Sequence, residues 1–117
     1  MEELVRNLKN SGVLKTAQLV EAFLKVDRKD FVPENLKDLA YVDEALPIGE
    51  SQTISQPYTV AFMLELLEPR SGETIMDVGY GSGWTTALLA HIVGPNGKVY
   101  AFERVPELCD FGEKNVS

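Results

Sequence analysis

Asp77 to Ala87 reads DVGYGSGWTTA, and the placing of its glycines decides the fold. Glycines alternate at 79, 81 and 83, between an apolar run that ends at Val78 and a helix-forming run that begins at Trp84. Upstream, Thr74 to Val78 is a continuous β-favouring segment bounded by Gly72 and Gly79, the pattern of a strand buried on both faces. Downstream, a helix over about Trp84 to Val93 stops at the turn signal Gly94-Pro95-Asn96-Gly97, and KVYAFE reads as the next strand. Val105-Pro106-Glu107-Leu108 opens a further helix. Strand, glycine loop, helix, turn and strand form one βαβ unit of a parallel sheet in an α/β protein.

The spacing within the loop selects a ligand class. A dinucleotide fold requires G-x-G-x-x-G, so that a pyrophosphate can sit on the helix N-terminus, but Trp84 occupies the position of the third glycine. A phosphate-cradling P-loop is excluded, because no Gly-Lys-Ser/Thr follows. G-x-G-x-G behind an acid on the strand, Asp77, fits a phosphate-free ligand such as a nucleoside with an amino-acid tail. Glycines let the backbone approach such a ligand where a Cβ would collide, and helix N–H groups favour the carboxylate of the tail. Asp77 is placed to receive the tail's ammonium or to organise the loop. Glu103 lies twenty residues after Gly83 at the end of the second strand, where a carboxylate can accept both hydroxyls of a ribose. The combination points to S-adenosylmethionine. The competing reading, a glycine-rich turn that only joins strand to helix, explains neither Asp77 nor Glu103.

Helical material precedes the βαβ unit. Leu4, Val5 and Leu8 recur at helical spacing before Ser11-Gly12, and Thr16 is placed to cap AQLVEAFLKV, whose Leu19, Val20, Phe23 and Val26 form a stripe. DRKDFVPENLKDLAYVDE contains Pro33 and reads as an irregular connector with a helical turn near Leu36 to Leu39. Ala45 to Ile48 looks extended. Glu50 to Val60, ESQTISQPYTV, then leads into a helix carrying Val60, Met63, Leu64 and Leu67. A hydroxyl ahead of Pro57 caps that helix or faces a substrate, and Thr53, Ser55 and Gln56 are the candidates.

Composition narrows the partners. The 117 residues carry a net charge of −7, which argues against nucleic acid and anionic membranes, since both need a concentrated basic face. No apolar run approaches the ~18 to 20 residues of a membrane span. A lone cysteine, Cys109, forms no internal disulfide and suits a reducing cytoplasm. One histidine, His91, and one cysteine cannot build a metal site or a Ser/His/Asp set.

The runs DRKDFVP, AYVDEALPIGESQTISQPYTVAFMLELL and DVGYGSGWTTALLA resemble the protein-L-isoaspartate O-methyltransferase family, over about Val26 to Glu103. QTISQP ahead of an apolar helix is far more specific than the glycine loop. The resemblance implies a Rossmann-like (class I) methyltransferase fold with S-adenosylmethionine as methyl donor. It implies methylation of the side-chain carboxylate of L-isoaspartyl residues in damaged proteins and peptides. It places Ser55 at the acceptor and Asp77, Gly79, Gly81, Ser82, Gly83 and Glu103 at the donor; Thr53 and Gln56 stand where similar hydrogen bonds could help Ser55. The chain departs from the family pattern at Ser51, where glycine is common, at Tyr80, where Thr or Ser is usual, and at Trp84-Thr85, where Tyr-Gln is frequent.

On this reading, residues 1–57 form an N-terminal helical region with the substrate-side loop, and residues 58–117 form a partial S-adenosylmethionine-binding domain. The expectation is an N-terminal portion of the fold, comprising the helical region and the first βαβ unit, with the C-terminal half absent. An open two-stranded parallel sheet offers unpaired backbone groups, so self-association or strand exchange is expected. A carboxylate acceptor, with a reference pKa of about 3.9, is ionised at neutral pH and needs no general base. Ser55 is left to orient it by a hydrogen bond. The alternative reading is a truncated, non-catalytic relative that acts as a binding or self-associating module. A nucleotide-binding oxidoreductase is disfavoured by Trp84.

Overall fold

The computed structural model describes all residues from Met1 to Ser117. Helices α1 (Glu2–Asn10) and α2 (Ala17–Lys25) are followed by two 3-10 turns, Arg28–Phe31 and Glu34–Leu39. Strands β1 (Leu46–Gly49) and β2 (Gln52–Ile54) lead into α3 (Pro57–Leu67). Then come β3 (Thr74–Val78), α4 (Trp84–Val93), β4 (Lys98–Phe102) and α5 (Pro106–Val116).

The helices form where their apolar residues share a side. Leu4, Val5 and Leu8 are the buried residues of α1, with Glu2 and Glu3 in its first turn and Lys9 in its last, each charge opposing the helix dipole. Leu19, Ala22 and Phe23 anchor α2. Thr16 stands at the N-cap of α2 but its side chain makes no capping bond there. The cap comes from α3: Glu65 Oε2 accepts the amides of Lys15 and Thr16 at 2.6 and 2.8 Å, while Oε1 accepts the Thr16 hydroxyl. Burial alone would push the Glu65 carboxyl up, but these donors draw it below its ordinary value.

Residues 46 to 54 close into an antiparallel hairpin, with Leu46 opposite Ile54 and Pro47 opposite Thr53. β3 and β4 are parallel and pair in register from Thr74 with Lys98 to Val78 with Phe102. That register brings the two strand ends side by side, so the glycine loop leaving Val78 lies next to Glu103.

One cluster of 22 buried residues, from Leu4 of α1 to Leu108 of α5, runs through both expected parts of the chain. The two-sided burial expected of β3 is not observed. Ile75 and Asp77 are half-buried on the side packed by α4, whereas Met76 and Val78 are 68% and 75% exposed on the other. Tyr100 and Phe102 of β4 are about half exposed. The apolar run is thus matched to two covers, of which the fold supplies one.

Candidate active site

A cleft of about 440 Å³ opens at the carboxyl ends of β3 and β4, lined by Gln52, Thr53, Gly79, Gly81 and Glu103 among others. Its apolar wall is made by Val78, Phe102, Val105 and Leu108. The volume falls within the ~300 to 1,000 Å³ of small-molecule sites, and the strand ends of an open α/β sheet are where such ligands bind.

Glu103 ties the cleft together. Its Oε1 accepts the Gly81 amide at 2.9 Å, and Oε2 accepts the amides of Arg104 and Val105 at 3.0 and 3.1 Å. Burial pushes this carboxyl up, but the Gly81, Val105 and Arg104 amides outweigh it and hold it below its ordinary value. A carboxylate has about four lone-pair sites, and three are occupied. The strand-end acid therefore fixes the glycine loop and retains about one acceptor site for a ligand.

The rest of the loop is pinned from behind. Phe102 O accepts the amides of Gly79 and Tyr80 at 2.6 and 3.2 Å. Tyr80 turns toward α5, where its hydroxyl donates to Cys109 O at 3.3 Å; burial, then contact with Cys109, pushes that hydroxyl up to about 12. The bulk of Tyr80, a departure from the family pattern, thus packs against a helix. Gly112 of α5 makes room for it: a Cβ there would lie 2.6 Å from Tyr80 Cδ1 and 2.7 Å from Gly81 O.

Four of the sequence-derived residues, Thr53, Gly79, Gly81 and Glu103, line the cleft. The other four do not. Asp77 accepts the Thr86 hydroxyl at 2.5 Å beneath α4, so it braces the loop against the helix. Ser82 is 4% exposed; its hydroxyl accepts the Trp84 amide at 3.2 Å, and its carbonyl accepts the Asn115 amide group at 2.9 Å. Gly83 is the N-cap of α4 at φ 88°, packed against Val116 and Gly112. Ser55 is exposed just after β2, outside the cleft lining, and makes no side-chain cap to α3.

Residues that the sequence reading did not assign are Gln52, Val78, Phe102, Arg104, Val105 and Leu108. Val78 and Phe102 carried a usable signal, since each immediately precedes an assigned residue at the end of a parallel strand. Leu108 carried none, because it reaches the cleft only through the packing of α5.

A glycine loop and an acid on adjacent parallel strand ends, with a hairpin closing the opposite wall, define a Rossmann-like domain of the nucleoside-cofactor-binding class. The chain belongs to the family Protein-L-isoaspartate(D-aspartate) O-methyltransferase (PCMT), whose model matches residues 1–117. It is 51% identical over 115 residues to a protein-L-isoaspartate O-methyltransferase of Methanopyrus kandleri, covering 98% of this chain and 51% of the relative. A counterpart from Ignicoccus hospitalis is 50% identical over 108 residues, 92% of this chain and 51% of the relative. A solved protein-L-isoaspartate O-methyltransferase of Plasmodium falciparum, in complex with S-adenosyl-L-homocysteine, superposes with a TM-score of 0.87 at 31% identity, covering 97% of this chain and 53% of that one. The chain spans about half the length of the curated relatives it matches.

These findings correct two expectations. The likeness is not confined to Val26 to Glu103 or to an N-terminal portion of the family, because the family model matches the chain from its first residue to its last. The description of the fold as a helical region and first βαβ unit with its C-terminal half absent is overturned by a family match that takes in residues 1–117 and by a superposition that covers 97% of this chain.

Proposed function

We propose that this chain binds S-adenosylmethionine in the cleft at the ends of β3 and β4 and serves methyl transfer to L-isoaspartyl carboxylates in damaged proteins and peptides. The observation that carries the reading is the shared cleft: Gly79, Gly81 and Glu103 form one wall and Thr53 of the hairpin another. Donor-side and acceptor-side elements thus meet in one space.

The cleft fits the donor chemically. Glu103 would accept a ribose hydroxyl, Val78, Phe102, Val105 and Leu108 would pack against the apolar faces of the nucleoside, and the glycines would admit the ligand close to the backbone. When bound, S-adenosylmethionine supplies a methyl group on a sulfonium, which is displaced in line. The chain's residues have to hold the acceptor carboxylate in that line and exclude water. Thr53 is positioned at the cleft to donate a hydrogen bond to it. Ser55, just beyond the hairpin, would do so once a peptide covers the opening. No general base is needed for an acceptor that is already ionised.

The lone Cys109 fits a reducing, cytoplasmic setting. Self-association belongs to the same reading. Met76, Val78, Tyr100 and Phe102 leave one face of the sheet apolar and exposed, and both outer edges of the β3–β4 sheet are unpaired. Methyl transfer from labelled donor to an isoaspartyl peptide tests the activity. Calorimetric titration with S-adenosylhomocysteine and with NAD tests the ligand class, and a preference for NAD would overturn the assignment.

A further inference from the structure

Arg28 is the one charged side chain withdrawn completely from solvent. No carboxylate lies within ion-pair distance of it. Its guanidinium spends its donors on backbone: Nη1 donates to Ala40 O and Val42 O at 3.0 and 2.9 Å, and Nη2 to Glu44 O and Ser55 O at 2.8 and 3.1 Å. Its Nε has no partner. The guanidinium carbon lies 5.3 Å from the centre of the Trp84 ring, and Trp84 is the first residue of α4, directly after the glycine loop. Burial draws the guanidinium down to about 10, and the Asp43 charge, beyond ion-pair distance, opposes this only in part. Burying a cation without a direct ion-pair partner is costly, and an apolar residue of similar volume would usually hold a core at least as well.

The bonds join segments that share no regular ladder. Residues 40 to 44 contain Asp43, which caps α3; Ser55 leaves the hairpin that lines the cleft; Trp84 begins the helix behind the donor-side loop. A planar fork of fixed geometry is suited to indexing several carbonyls at once, which a lysine cannot reproduce. We propose that Arg28 is a positioning residue, which sets Ser55 and the hairpin in register with the glycine loop through its four carbonyl bonds and its contact with Trp84. The role presupposes the function proposed above, but its structural part can be tested independently.

The test compares the full chain with Arg28→Lys and Arg28→Met. Amide exchange by mass spectrometry is read over residues 41–56 and, as an internal reference, over α1, together with cooperative melting. The expected result is exchange faster by about tenfold or more over 41–56 in both variants, with α1 changed by less than about twofold. In methyl transfer, kcat for an isoaspartyl peptide should fall by about tenfold or more, while KM for S-adenosylmethionine stays within about twofold. Lysine should restore no more than a minor part. Unchanged exchange over 41–56, an equal rise in α1, or loss of cooperative melting in both variants would each overturn the proposal. If the unaltered chain transfers no methyl group, the functional reading fails, and exchange still decides the role of Arg28.

Discussion

Asp43 Oδ1 accepts the backbone N–H of Tyr58 at 2.8 Å, so a carboxylate fifteen positions upstream caps α3. The Gln56 side chain returns a bond to Asp43 O at 3.1 Å. The helix start needs no hydroxyl from Ser55, which separates two roles that the local sequence confounds.

The first prediction follows from that separation. Asp43→Ala should lower stability by about 1 kcal/mol, the usual worth of an N-cap. Ser55→Ala should change it by less than about 0.5 kcal/mol, as at an ordinary surface site. Urea unfolding checks both. If Ser55 orients the acceptor, its alanine variant should lose methyl transfer by about tenfold or more while melting normally.

A second prediction concerns the back of the glycine loop. Gly112→Ala would drive a methyl group into the Tyr80 ring and toward Gly81 O. Overpacking of this kind costs about 1–3 kcal/mol, and here the strain falls on the loop that lines the cleft. Affinity for S-adenosylhomocysteine should therefore drop together with thermal stability. Combining it with Tyr80→Ala should recover only part of the lost stability, because the close approach to Gly81 O remains.

Acid should weaken the fold through two identified carboxylates. Glu65 and Glu103 are both held below their ordinary value of 4.5 in the folded chain, each by hydrogen bonds that outweigh the effect of burial. Because the folded values lie below the unfolded ones, the stabilisation is complete above the ordinary value and is lost as pH falls through the depressed folded values. The urea midpoint should hold steady near about pH 6 and decline below about pH 4.5, and Glu65→Gln should flatten that decline. Neither group is deeply buried, so solvent screening keeps the effect modest.

The bare sheet face makes a further prediction. Sedimentation of the chain should show mass rising with concentration. Met76→Lys with Tyr100→Lys, which places charge on that face without touching the cleft lining, should restore the monomer. A monomer at every concentration for the unaltered chain would exclude association through this face.

Much of the fold was legible because its signals are local. Thr74–Val78, Trp84–Val93 and Lys98–Phe102 are each bounded by glycine or turn residues, and the observed elements coincide with the expected ones. β2 was not legible. Its three residues, Gln52 to Ile54, are too few to show alternation, and its turn is built from Glu50 and Ser51 at φ 54° and 58° in place of the usual Asn-Gly pair. Within the site, Gly79, Gly81 and Glu103 were found because strand ends and loop spacing follow from chain order. Ser82 was assigned by its place among the glycines, yet a loop has no periodicity to reveal that its hydroxyl turns inward. Arg28 escaped, and Asp43 reads from sequence as a solvated loop acid or a substrate contact and not as the cap of α3, because their partners are set by tertiary packing and a charged residue in a polar stretch is ordinarily a solvated one.

Trp84 is the chain's sole tryptophan and is 1% exposed, edge-on to Phe23 with ring centres 5.6 Å apart and close to the Arg28 guanidinium. The molecule therefore carries one built-in optical probe, seated at the start of α4 directly after the glycine loop. Its emission should be blue-shifted in the native chain and shift to the red on unfolding. Small changes in its intensity, with no change in colour, would register a ligand or a variant that alters the Arg28 contact alone.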